Sequence, residues 1–153
     1  GDRPLLEALA AAIPDEAVET AIEVTGTRER RRRRLPTHLV VTLVVGGALA
    51  SRDFTPVHHD RAAAQAQGMS DVFMNILTTS GLTQRFIEGW AGPAARVKDL
   101  KIRLGAPNYP GDTMVLSGVV SATDDDTRTV TVDVFGANSK GDHVTGQVTL
   151  VLP

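Results

Sequence analysis

Cysteine is absent from this 153-residue chain, which removes a disulfide framework, a thiolate zinc site and a cysteine nucleophile together. Aromatic side chains are scarce, at 4%, and none precedes Phe54, so the basic residues near the N-terminus have no stacking partners of the kind that single-stranded nucleic acid requires. A net charge of −2 is also too small to suggest nucleic acid as a partner. The longest apolar run, Leu39 to Ala50, falls well short of the roughly 20 residues of a membrane-spanning helix. No secretory leader is recognisable, which makes the cytoplasm the expected location and excludes a membrane partner.

What is present is an ordinary globular composition, 42% apolar and 22% charged, at a length where folding buries about 68–70% of the extended surface. One domain is expected, with the charge unevenly placed. Arg28 and the unbroken run Arg30 to Arg34 are offset locally by Asp2, Glu7, Asp15, Glu16, Glu19, Glu23 and Glu29. Leu5, Leu6, Leu9 and Ile13 recur at helical spacing until Pro14, and Asp15 can cap a second short helix to about Glu23. Residues 1–34 therefore read as an N-terminal helical arm or linker, and 35–153 as the folded domain.

Within that domain, His38 to Ala48 is rich in Val, Leu and Thr and predicts a buried strand. Asp60 predicts an N-cap for a short helix over Arg61 to Gln67, closed by Gly68. The longest predicted helix is Asp71 to Trp90, apolar on more than one side and so expected to be enclosed. Val97 to Leu104, Thr113 to Ala122, Arg128 to Ala137 and His143 to Leu152 follow as strands. Their short connections carry Gly, Pro, Asn and Asp and predict an antiparallel meander. One helix enclosed by an antiparallel sheet is an α+β fold.

The sharpest chemical feature is Ala50-Ser51-Arg52-Asp53-Phe54-Thr55-Pro56-Val57-His58-His59-Asp60, a proline-bearing loop between the predicted strand and the first helix. A carboxylate and an imidazole five residues apart cannot share a helix face. A proline turn could aim both into one cleft, where they would hold one water and handle its proton. Spacing alone favours a turn-capping Asp53 and a structural His58, because Asp and His this close together are common.

Asp53-Phe54-Thr55-Pro56-Val57-His58 resembles the Asp-x-Asn-Pro-x-His signature of MaoC-like (R)-specific enoyl-CoA hydratases, which have the hot-dog fold. Asn75-Ile76-Leu77-Thr78, Gly81-Leu82 and Trp90-Ala91-Gly92-Pro93 extend the resemblance toward the small subunits of actinobacterial steroid side-chain hydratases. The resemblance covers residues 35–153 and implies a single hot-dog domain whose long central helix is wrapped by an antiparallel sheet. It departs from the signature at Thr55, where the family has Asn, and at Ser80-Gly81, where it has His-Gly.

It implies that Asp53 and His58 are catalytic and that thioester oxyanion donors lie between Asn75 and Gly81, with Asn75, Ser80 and Gly81 as the candidates. Arg52, Arg85 and Arg96 are the candidates for the coenzyme A phosphates. No cofactor or metal is implied, because coenzyme A arrives with the substrate. The implied partners are a second MaoC-like subunit and a downstream aldolase. Two alternatives stand beside hydration: an acyl-CoA thioesterase, against which the only acid deep in the long helix, Glu88, lies near its far end, and a non-catalytic partner subunit, which would have no need of Asp53 and His58.

Overall fold

A computed structural model describes residues 20–23 and 37–153, with side chains from Val44 onward. In chain order the elements are β1 (Thr20–Glu23), α1 (Thr37–Ala50), a single 3-10 turn (Pro56–His58), α2 (Arg61–Ala66), α3 (Ile76–Ala91), β2 (Arg96–Leu104), β3 (Thr113–Asp124), β4 (Thr129–Asn138) and β5 (Gly141–Val151). The five strands form one antiparallel sheet in the order β1-β3-β4-β5-β2. The helix α3 lies against its inner face, giving the expected α+β architecture.

The core follows from strand alternation, in which every second side chain meets the helix layer. Val130, Val132 and Val134 of β4, Met114 and Leu116 of β3, and Val144, Val148 and Leu150 of β5 are buried with Phe86 and Ile87 of α3. Each such side chain contributes about 1.5–3 kcal/mol by leaving water. Gly146 of β5 exists because β2 runs too close for anything larger: a Cβ there would lie 2.1 Å from the Lys101 carbonyl oxygen.

Four expectations are corrected. The segment Thr37–Ala50 is an α-helix, where a buried strand is predicted over His38 to Ala48. Strand propensity measures fit to a half-buried pleated surface and is overridden by tertiary context. Here Val44 and Ala48, one helical turn apart, are both buried, and Gly47 lets α1 pack directly on Thr78 of α3. The Ser51 hydroxyl closes the helix by donating to the Gly47 and Ala48 carbonyls at 2.8 and 3.0 Å, which also accept the Ser51 and Asp53 N–H groups.

The second correction is that Thr20–Glu23 forms a strand at the sheet edge, pairing with Thr113 to Leu116 of β3, and so is neither helical nor outside the sheet. The helix predicted before Pro14 and the arginine run lie outside the described residues.

Third, α3 begins at Ile76, five residues later than predicted. Asn75 caps it, accepting from the Thr78 N–H at 2.9 Å. The helix buries Thr79, Thr83, Phe86 and Ile87 on the sheet side but leaves Ile76 and Leu77 about half exposed, at 46% and 50%, so it is not enclosed by the described residues of this chain.

Fourth, the strands are not a simple meander, because β2 pairs with β5 and not with its successor β3. The connection 105–112 wraps across the β4–β5 hairpin. Gly105 and Ala106 donate to the His143 and Asp142 carbonyls, the Asn138 amide donates to the Pro107 carbonyl and to Asn108 Oδ1, both at 3.0 Å, and Lys140 pairs with Asp112. The helix α2 forms as predicted, with Asp60 accepting from the Ala62 and Ala63 N–H groups and Gly68 at φ +85°.

Candidate active site

The end of α1 sets the first functional side chain. Asp53 N–H donates to the Ala48 carbonyl at 2.9 Å, after Arg52 turns the chain through a left-handed φ of 59°. Pro56 then starts the 3-10 turn, whose last residue is His58. The turn brings the two together: His58 Nε2 lies 3.3 Å from Asp53 Oδ2.

The imidazole is held from its far side. His58 Nδ1 is 2.8 Å from the Phe73 carbonyl oxygen, and a carbonyl can only accept, so Nδ1 carries a proton and Nε2 is the ring nitrogen that faces Asp53. The Phe73 ring packs against it edge to face, with centroids 4.9 Å apart. His58 is 8% exposed.

Asp53 is covered on both oxygens. Oδ1 accepts from the Thr55 hydroxyl at 2.7 Å and the Thr55 N–H at 3.2 Å, and Oδ2 accepts from the Asn75 amide at 3.0 Å. These donors, the Thr55 hydroxyl foremost and Asn75 next, lower its pKa from 3.8 to about 2, because hydrogen bonds to the charged form favour it. Asp53 is therefore a fixed anion and a weak base.

The start of α3 provides a second kind of group. Thr78 and Thr79 N–H are taken by the Asn75 side chain and carbonyl, leaving the Ile76 and Leu77 N–H groups unpaired among the described residues at the positive end of the helix. Ser80 and Gly81 lie inside the helix, with the Ser80 hydroxyl donating to the Ile76 carbonyl at 2.8 Å. Helix geometry puts the open N–H groups four residues before this expected pair, at Ile76 and Leu77, and Asn75 reaches Asp53 through its side chain.

An open groove of about 590 Å³ begins at this helix end, lined by Ile76, Leu77 and Ser80, by Leu100 to Arg103 of β2, and by Thr145 and Gly146 of β5. Arg52, Arg85 and Arg96 are all exposed, and none of them lines it. Lys101 and Arg103 do, and were missed in the sequence. Their signal was the alternation of Lys101 and Arg103 with the half-buried Leu100 and Ile102. Phe86 is core, and Trp90 is partly buried against it. No cluster of three or more metal-ligating side chains occurs among the described residues, and no helix among them is long and apolar enough to cross a membrane.

A carboxylate and an imidazole presented on a loop beside the open N-terminus of a sheet-packed helix form a candidate acid–base site, and the comparisons place it in a hydro-lyase with a hot-dog fold. The chain is 52% identical over 109 residues, 71% of its length and 83% of the relative's, to the 3-oxo-4,17-pregnadiene-20-carboxyl-CoA hydratase beta subunit of Mycobacterium tuberculosis. It matches a chain of the crystal structure of the ChsH1-ChsH2 complex from that organism at a TM-score of 0.71 and 50% identity, covering 74% of this chain and 87% of that one. The (R)-hydratase of A. caviae involved in PHA biosynthesis shares the fold, with a TM-score of 0.71 at 18% identity, over 90% of this chain and 96% of that one.

A family model described as insertion element 4 transposase N-terminal also matches, over residues 3–89. The chain belongs to the MaoC-like hydratase family through its hot-dog domain, and its leading part also belongs, by sequence, to the insertion element 4 transposase N-terminal family. Where the two overlap with described side chains, the structure is the end of α1, the Asp53–His58 turn, α2 and most of α3.

Proposed function

We propose that this chain hydrates the α,β double bond of a bulky enoyl-CoA, of the steroid side-chain class named for its mycobacterial relative, to give the 3-hydroxyacyl-CoA. The observation that carries this is the 3.3 Å approach of His58 Nε2 to Asp53 Oδ2 beside the unpaired N–H groups that open α3. In this reading the thioester carbonyl accepts from Ile76 and Leu77 N–H, whose helix dipole stabilises the negative oxygen that develops as water adds. Asp53 and His58 Nε2 each accept one hydrogen of a water molecule, which turns the water's lone pair toward the β-carbon. Asp53, with a pKa of about 2, stays ionised and orients; His58 Nε2 takes the proton and returns it to the α-carbon. No redox group or metal takes part in this sequence of steps.

The groove cations Lys101 and Arg103 suit the coenzyme A phosphates by charge, with Arg52, Arg85 and Arg96 as the candidates from sequence outside the groove. The half-exposed Ile76 and Leu77 together with Phe54, at 65% exposure, offer apolar surface for a polycyclic acyl group. A second MaoC-like subunit is the proposed partner, as in the complex formed by the structural relative, and a downstream aldolase is its proposed successor. The outer edge of β2, unpaired among the described residues, is the natural place for a partner strand.

The test is hydration of enoyl-CoA thioesters, followed by loss of the conjugated absorbance, by the chain with and without the product of a neighbouring hydratase-subunit gene. Asp53→Ala and His58→Ala should each cost about 10²–10⁴-fold in kcat, while His59→Ala changes little. Release of free thiol without hydration would establish a thioesterase, and near-native turnover in either variant would remove the catalytic assignment.

A further inference from the structure

Asn75 is 2% exposed, and every polar position of its side chain is used. Its Nδ2 donates to Asp53 Oδ2 at 3.0 Å and to Ser51 Oγ at 2.9 Å, and its Oδ1 accepts from Thr78 N–H at 2.9 Å. The Ser51 hydroxyl spends its own proton on the Gly47 and Ala48 carbonyls, so it can only accept from Asn75. The orientation of the amide is thereby fixed, since reversing it would set the amide oxygen against the carboxylate and the NH₂ group against Thr78 N–H.

We propose that Asn75 is a positioning residue: its amide ties the Asp53 carboxylate to the N-terminus of α3, so that the anion that orients water and the N–H groups that receive the thioester oxygen are set by one side chain. This rests on the hydratase reading above. The argument is geometric. Asp53 sits on the loop after α1, whereas Ile76 and Leu77 N–H belong to a different element. Asn75 bonds to both elements through one rigid amide, and Ser51 extends the same link to the last carbonyls of α1.

The loop position that carries Asn in the general signature is Thr55 here, and Thr55 covers only Oδ1. The oxygen facing His58 has Asn75 as its donor. His58 is the titratable group facing Asp53 among the described residues.

A merely structural Asn75 would act as a helix cap, and the two roles separate by substitution. Asn75→Ser keeps an N-cap acceptor of equal quality but removes the amide that reaches Asp53. The experiment is a ¹³C titration of the Asp53 carboxyl in the full-length protein, assigned with Asp53→Asn, together with kcat and KM for enoyl-CoA hydration. In the native protein the Asp53 signal should stay ionised down to roughly pH 3. In Asn75→Ser its midpoint should move up, with kcat falling about 10²-fold and KM within about twofold, as expected when orientation is lost but binding is not.

An unmoved Asp53 midpoint in folded Asn75→Ser would overturn the proposal and leave Asn75 a cap. Should that variant fail to fold, Asn75→Thr, which also keeps a hydroxyl cap but lacks the amide that reaches Asp53, must shift the midpoint in the same direction or the proposal fails. The titration needs no substrate. A native protein that hydrates nothing while the variant's midpoint still shifts would refute the hydratase reading and leave the positioning intact.

Discussion

Gly46 and Gly47 are neighbours in α1 with opposite surroundings, and exchanging each for alanine tests how that helix holds the catalytic loop. A Cβ on Gly46 meets nothing within 4 Å, whereas one on Gly47 lies 2.5 Å from Thr78 Oγ1 and 3.0 Å from its Cγ2. Alanine in a helix interior is worth about 0.5–1 kcal/mol over glycine, so Gly46→Ala should gain that amount. Gly47→Ala gains the same propensity but must open the α1–α3 contact by about 1 Å to restore ordinary van der Waals separation. Overpacking of that kind costs about 1–3 kcal/mol.

The two variants should therefore differ by about 1–3 kcal/mol in urea unfolding, or by several degrees in Tm at this size. The wedge falls between the two elements that hold Asp53, since its N–H is anchored to Ala48 and its carboxylate to Asn75. Gly47→Ala should accordingly lose up to about 10²-fold in kcat, with Gly46→Ala unaffected. Thr78→Ala should rescue Gly47→Ala, because the nearest remaining atom is Thr78 Cβ at 3.3 Å; the Thr78 hydroxyl has no hydrogen-bond partner to lose. Equal stabilities for the two alanine variants, or no rescue, would refute the α1–α3 packing and with it the helical assignment of a Val-rich segment.

Other outcomes are equally specific. Burial holds the pKa of His143 below 6.5, so the unfolded chain binds the extra proton first, and stability should fall as pH drops below about 6.5; His143→Gln should flatten that slope in pH-dependent melts. Gly146→Ala should destabilise by more than about 2 kcal/mol, because the new methyl meets the β2 backbone, which cannot step aside; loss of less than half of that in urea unfolding would count against the β2–β5 register. Deleting residues 1–33 removes β1 and bares the edge of β3, so it should lower Tm while leaving kcat within about threefold, since β1 lies at the opposite edge of the sheet from β2, which lines the groove.

The convergence of Asp53 and His58 was legible in the sequence because its signal is local: Asp53, Pro56 and His58 lie within six positions, and a proline turn is enough to bring them together. The strand segments were legible for the same reason, each carrying its own alternation and its own turn residues. What escaped depends on partners distant in the chain. The segment Thr37–Ala50 has the composition of a strand and is a helix because Gly47 fits Thr78, 31 positions further on. The pairing of β2 with β5 is decided by a loop that crosses a hairpin formed later in the chain. The open N–H groups lie at Ile76 and Leu77, ahead of Ser80 and Gly81, because the cap is Asn75, which a reading of apolar periodicity passes over.

The loop that crosses the β4–β5 hairpin also accepts a bond from the segment leading into α3: Met74 N–H donates to the Asn108 carbonyl at 2.9 Å, while Asn138 grips the same loop from the hairpin tip. Active-site loops are commonly the first parts of a protein to open, exchanging their amide hydrogens long before the sheet does. Here the threshold of α3 is laced to the sheet's own hairpin, so the Met74 amide should exchange with the slow population of β4 and β5 and not with the exposed loop around Phe54. The start of α3 and the framework that gives the domain its stability would then breathe as one cooperative unit, with Asp53 carried along by its bond to Asn75.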